Sequence, residues 1–251
     1  MKKYYFPPVG FGFWYQFGVL NKIKNKNYQI YGSSAGSIIC LINILKPQDR
    51  KLKNIIFIIG KIRSKYKYNV NLYNYILDFI KQVFVIIQYY DDEYILNKLD
   101  NTFIEVSQIH TFYNLPYKIS SSFIKPKNLL HLKDLVIASC FVPFATIYNY
   151  NPLFYIIEKK YYFDGFFGSF SNHKNLIKIN SYEYGTLVPK SNNYFIRIYN
   201  EGRNYNFSQK SKSFTIISFI QITLNIFVDF AIKIIDFFYK LILNIKIYNF
   251  Y

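Results

Sequence analysis

Between Tyr28 and Leu45 an aromatic and β-branched stretch passes through Gly32-Ser33-Ser34-Ala35-Gly36 into a run of small and apolar residues. A G-x-S-x-G placed between a strand and a helix holds its serine on a sharp, strained turn with the hydroxyl exposed. The free N–H groups and positive dipole end of the following helix favour a developing oxyanion. Ser34 is therefore the candidate nucleophile, and Gly32 and Gly36 let neighbouring backbone pass without a β-carbon clash. The plainer reading is a Gly/Ser turn in which Ser33 or Ser34 caps the next helix.

A serine nucleophile needs a base. Tyr161-Tyr162-Phe163-Asp164-Gly165 puts a carboxylate at the end of an aromatic strand. In such a partly apolar setting its pKa is expected to rise, and it can take a serine proton directly. Standing alone, Asp164-Gly165 reads as a common turn. Ser34, Asp164 and His173 also follow the serine, acid, histidine order of the α/β-hydrolases. Against that triad, one strand rather than several precedes the elbow strand, and only nine residues separate Asp164 from His173. Glycine usage points to the same places. Seven of the ten glycines fall in three windows: Gly10, Gly12 and Gly18; Gly32 and Gly36; Gly165 and Gly168. A chain that clusters scarce glycine needs unusual backbone geometry there.

The elements that must position these residues follow from hydropathy periods and breakers. Strands are expected over Lys3–Val9, Tyr28–Tyr31, Ile55–Ile59, Thr102–Gln108 and Tyr117–Phe123, with a hairpin of Phe154–Ile157 and Lys160–Phe163 around Glu158. Helices are expected over Phe13–Lys24, Ala35–Leu45, Leu72–Tyr89, Tyr94–Leu99 and Leu129–Ile137. Strands alternating with helices predict an α/β sandwich with a mainly parallel sheet.

The last forty residues differ. From Ser218 the polar positions Gln221, Asn225, Asp229, Lys233, Asp236, Lys240 and Asn244 recur every three or four residues. That is the helical period, and it predicts a long C-terminal helix with a narrow polar stripe. Its longest uncharged run, residues 213–228, is shorter than the ~20 apolar residues of a span. Packing into the core or against a partner and lying in a membrane interface both remain open.

Composition excludes several classes. Two cysteines, Cys40 and Cys140, supply neither a disulfide framework nor a four-cysteine zinc site, and three histidines make no histidine-rich metal centre. Lys and Arg number 31 against 14 acids, a net charge of +17. Residues 1–77 carry 13 of the basic residues and one acid, Asp49. That field attracts polyanions, either anionic lipid or nucleic acid. An AT-rich coding sequence, which favours Lys, Asn, Ile, Tyr and Phe, yields the same bias without a ligand. A nucleic-acid surface would interleave aromatics with Lys, and Lys65-Tyr66-Lys67-Tyr68 is the nearest, short instance. No signal-peptide core follows Met1, because Pro7 and Pro8 break the first apolar run, so a cytoplasmic protein is expected.

Four motifs in order carry a resemblance over roughly Phe6 to Ile198. They are a glycine loop ending Gly18-Val19-Leu20, the G-x-S-x-G of Gly32–Gly36, Ala138-Ser139-Cys140-Phe141-Val142-Pro143-Phe144, and Asp164-Gly165. The chain resembles the patatin-like phospholipases, with the Ala-Ser-Cys form most similar to the adiponutrin-like branch. The resemblance implies a three-layer α/β/α sandwich with a mainly parallel central sheet over residues 1–210; the C-terminal helix read from its period follows over 211–251. It implies a lipid acyl hydrolase of the phospholipase A or lipase type, working through a Ser34–Asp164 dyad and an acyl-enzyme, with no metal or other cofactor. N–H groups of Gly10, Phe11 and Gly12 would form the oxyanion hole. Val9-Gly10-Phe11-Gly12-Phe13-Trp14 keeps two glycines but lacks the family's basic residue. A catalytically weak or inactive lipid-binding protein is thus the alternative, beside a basic nucleic-acid-binding module. The expected partner is a membrane phospholipid or other acyl lipid, met at an anionic membrane surface.

Overall fold

Strands and helices alternate from the first residues onward in the computed structural model, which describes residues 1–23, 27–65, 72–112, 115–141, 155–165, 175–179, 181, 184 and 191–207. β1 (Lys2–Phe6) leads into α1 (Phe13–Lys22), then β2 (Tyr28–Ser33) into α2 (Ala35–Ile44). Helices α3 (Leu52–Lys65), α4 (Leu72–Ile87) and α5 (Asp92–Asp100) precede the long hairpin of β3 (Thr102–Phe112) and β4 (Leu115–Ile124). After α6 (Leu129–Ser139) come β5 (Tyr155–Ile157), β6 (Lys160–Phe163), β7 (Ile177–Lys178) and α7 (Asn192–Arg203).

The strands form one mixed sheet in the order β5-β6-β3-β2-β1-β7, with β4 also on β3. β7, β1, β2 and β3 are parallel to their neighbours, while β4 and β6 join β3, and β5 joins β6, antiparallel. The protein is thus a mixed α/β fold whose sheet is parallel where β1, β2 and β3 carry the first two helical crossovers. β1 stops at Phe6, short of the expected Val9, because Pro7 and Pro8 have no N–H to give a ladder. The hairpin expected around Glu158 turns through Glu158 at φ 48° and Lys159 at φ 64°, the double positive φ of a tight two-residue connection.

Helix α2 has only Ser37 and Asn43 as polar residues and is buried at nine of its ten residues, as a helix enclosed on nearly every side must be. It packs on β1, β2 and β3, and α6 packs on β3, β5 and β6. Because α2 and α6 also touch each other, they share one face of the sheet, with α1, α4 and α5 packed against this pair. A second helical layer on the other face is not found among the described residues. α5 and α6 begin on side-chain caps, Asp91 accepting from the Tyr94 N–H and Asn128 from the His131 N–H.

One expected element is corrected. Ile55–Ile59 is not a strand but part of α3. Its buried side chains are Ile55, Ile58, Ile59 and Ile62, at i, i+3, i+4 and i+7, while Phe57 is 61% exposed. The run of β-branched residues concealed a helical period that extends beyond it on both sides. Helix α7 and the two-residue strand β7 were not expected from the sequence. The C-terminal helix expected over 211–251 lies outside the described residues. Among the described residues no helix is long and apolar enough to cross a membrane.

Candidate active site

The long strand β3 has two edges and three partners. β4 runs along one edge from Ile104 to Phe112. The other edge is shared by β2, paired up to Ser33↔Glu105, and β6, paired from Ser107↔Phe163. β2 runs parallel to β3 and β6 antiparallel to it, so their C-terminal ends point at each other across the single residue Val106. The next residue of β2 is Ser34 and the next residue of β6 is Asp164. The pairing register alone brings these two positions together.

Their side chains meet. Ser34 Oγ donates to Asp164 Oδ2 at 2.8 Å. Asp164 is 1% exposed. Ser34 sits at φ 51°, ψ −122°, between β2 and α2. A non-glycine residue in that region is strained and persists only where its surroundings over-determine it. The surroundings do so here. The Ser34 N–H donates to Ser139 Oγ at 2.8 Å. The Ser34 carbonyl accepts from the Ser37 N–H at 2.8 Å, from Ser37 Oγ at 2.6 Å and from Cys140 Sγ at 3.2 Å. Neither Ser33 nor Ser34 makes the side-chain cap of the plainer turn reading; Ser34 occupies the N-cap position but gives its hydroxyl to Asp164.

The aspartate is held as firmly. Its N–H donates to the Phe141 carbonyl at 2.8 Å, and its own carbonyl accepts from Ser107 Oγ at 2.9 Å. At Gly165 a β-carbon would lie 2.5 Å from the Glu105 carbonyl oxygen and 2.5 Å from Ser33 Oγ, which explains why glycine follows the aspartate. Gly36, in the first turn of α2, abuts the Phe6 carbonyl at the end of β1, so α2 lies directly on the backbone of that strand.

Ser139 ties the two halves together, because its hydroxyl also donates to the Glu105 carbonyl at 2.6 Å. Ser139→Ala removes the acceptor of the part-buried Ser34 N–H. An orphaned buried group costs about 1–3 kcal/mol. Urea unfolding should show a loss of that order, and an unchanged midpoint would refute this bridging role. Cys140 serves as a hydrogen-bond donor and not as a rival nucleophile. Burial, and after it the negative charge of Asp164, drive its thiol pKa far upward, so it stays protonated.

The glycine loop lies at the same edge of the sheet, between β1 and α1. Gly10 takes φ 54°, and its carbonyl accepts from the Phe13 N–H at 3.2 Å. The Gly12 N–H donates to the Val9 carbonyl at 3.0 Å and is engaged inside the turn. His173, Gly168 and the segment Val142–Phe144 lie outside the described residues. Sequence reasoning quoted Ser139 and Cys140 within a motif without giving them roles, and it missed Ser107. Nothing local singled out Ser107, which stands in a strand that also carries Glu105, Gln108 and His110. Among the described residues no three His, Cys, Asp or Glu side chains converge to hold a metal ion. Compared with known proteins, the chain matches no family model, no curated protein and no solved structure.

Proposed function

We propose that this protein is a lipid acyl hydrolase of the patatin-like kind, acting through Ser34 and Asp164 without a histidine. The observation that carries the reading is the 2.8 Å hydrogen bond from Ser34 Oγ to Asp164 Oδ2, made from a strained strand-to-helix turn. A carboxylate in direct contact with the hydroxyl can act as its general base.

The Ser34 oxygen attacks the carbonyl carbon of a fatty-acyl ester as its proton passes to Asp164. The tetrahedral oxyanion is held by the N–H groups of Gly10 and Phe11 and by the N-terminus of α2, the Gly12 N–H being given to Val9. Asp164 returns the proton to the departing alcohol oxygen, and the acyl group stays on Ser34. A water molecule then attacks the acyl carbon, again giving its proton to Asp164, and the fatty acid leaves as Ser34 regains its hydrogen. No step requires a metal or an organic cofactor. The fatty-acyl ester is chosen for the four ordered motifs, and the basic first third of the chain would favour an anionic lipid surface.

Two measurements on the full-length protein test the reading: fatty-acid release from mixed phospholipid vesicles, and covalent labelling by a fluorophosphonate. Wild type is expected to release acid and to be labelled, and Ser34→Ala to do neither. A folded wild type that shows neither activity would overturn the proposal and leave a lipid-binding relic.

A further inference from the structure

Gln16 lies one turn into α1 and is 0% exposed. Its Nε2 donates to the Pro7 carbonyl at 2.7 Å and to Ser181 Oγ at 3.0 Å, so both amide hydrogens are used. The Pro7 carbonyl can only accept, which fixes the way the carboxamide faces. Oε1 is left buried with no hydrogen-bond partner among the described residues. A buried acceptor without a partner is costly. The contact with Pro7 is made despite that cost.

Pro7 is the first residue after β1 and the base of the loop that runs to Gly12. The far end of this loop is closed by its own backbone, the Gly12 N–H on the Val9 carbonyl at 3.0 Å and the Phe13 N–H on the Gly10 carbonyl at 3.2 Å. The Phe11 ring packs 5.8 Å from that of Tyr75 and 6.4 Å from that of Phe195. A turn beyond β7 braces the loop from its other side. There the Tyr184 N–H donates to the Ser181 carbonyl at 3.1 Å. A β-carbon on Gly12 would lie 2.6 Å from the Tyr184 carbonyl oxygen. At the base, Pro7 and Pro8 have no N–H with which to hold the chain. Gln16 holds it through the Pro7 carbonyl, tying that carbonyl to α1 and, through Ser181, to the turn beyond β7.

We propose that Gln16 is a positioning residue: by fixing the Pro7 carbonyl it sets where the N–H groups of Gly10 and Phe11 point. The inference rests on the acyl-hydrolase reading, in which those N–H groups meet the oxyanion. Gln16 does not touch the substrate. Its influence falls on the transition state, because a displacement of ~1 Å at a catalytic group is enough for about a hundredfold loss of rate.

Gln16→Met keeps the length of the side chain and removes both donors together with the orphaned acceptor. In the full-length protein, kcat for a long-chain acyl ester should fall by about tenfold to a hundredfold, with KM within about twofold of wild type. An alkyl trifluoromethyl ketone adds to Ser34 and leaves the same oxyanion, so its affinity should weaken by a matching factor. Gln16→Glu should recover the rate only while its carboxyl is protonated and can donate to Pro7. Its kcat relative to wild type should therefore rise as pH falls, while that of Gln16→Met stays flat. A merely structural glutamine would lower the melting temperature of both variants and leave kcat and ketone affinity at wild-type values. That result, or a loss of kcat without a matching loss of ketone affinity, would overturn the proposal. Should Gln16→Met not fold, Ser181→Ala removes the second acceptor of the carboxamide, and its losses of kcat and ketone affinity must match in the same way. A wild type that neither releases fatty acid nor takes a fluorophosphonate sinks the hydrolase reading and this inference with it. An active wild type with an unaffected Gln16→Met sinks this inference alone.

Discussion

Asp164→Asn is expected to lower kcat/KM for a long-chain acyl ester by about 10²–10⁴, the usual worth of a positioned general base. Asparagine has the same shape, and the backbone anchors of Asp164 to Phe141 and Ser107 do not involve the carboxylate. The fold should therefore survive, as circular dichroism and the melting temperature will show. What disappears is the acceptor for the Ser34 proton. An ester with an aryloxide leaving group should lose less, since that group departs without being protonated. Combining Asp164→Asn with Ser34→Ala should cost no more than Ser34→Ala alone, because residues acting as a unit are not additive. An Asn variant that keeps more than about a tenth of the wild-type rate would contradict Asp164 as the base.

Gly36→Ala should damage both stability and activity. A β-carbon there lies 2.7 Å from the Phe6 carbonyl carbon and closer still to its oxygen. Those atoms belong to the backbone of β1, which is fixed by β2 on one side and β7 on the other. The helix must back away from the sheet, and overpacking of this kind costs about 1–3 kcal/mol. Ser34 is two residues upstream and moves with the helix. A displacement of ~1 Å at a catalytic group is enough for about a hundredfold loss of rate. Thermal denaturation and fluorophosphonate labelling would register both effects, and an unaltered melting temperature would disprove the packing argument.

Much of the fold was legible where periods and breakers agreed. The apolar run of α2 and the paired hydrophobic runs of the Glu158 hairpin predict their elements to within a few residues, whereas the first strand was read through Pro7 and Pro8 to Val9 and ends at Phe6. Ile55–Ile59 failed because five consecutive apolar residues carry no period of their own. Only the positions on either side, Leu52 and Ile62, reveal the helix. Ser34 and Asp164 were legible from local chemistry, a serine in a glycine-flanked turn and a carboxylate closing an aromatic strand. Their supports were not, because Ser107 and Ser139 take their meaning from β3 and α6, which come together only in the folded sheet.

The two strands that face each other along one edge of β3 have a consequence for the timing of activity. The proposed nucleophile and base, Ser34 and Asp164, are separated by 130 residues, and they are joined through the last few rungs that β6 makes on β3. During synthesis the serine turn and its parallel scaffold emerge first, while the aspartate is still to come. On the proposed mechanism, a partly made chain therefore holds the nucleophile without its base. In the finished protein β6 holds the hairpin to β3 through three paired residues. Lifting that hairpin would part the dyad while the parallel core stayed folded. Local detachment of the hairpin would then separate Ser34 from Asp164 without global unfolding.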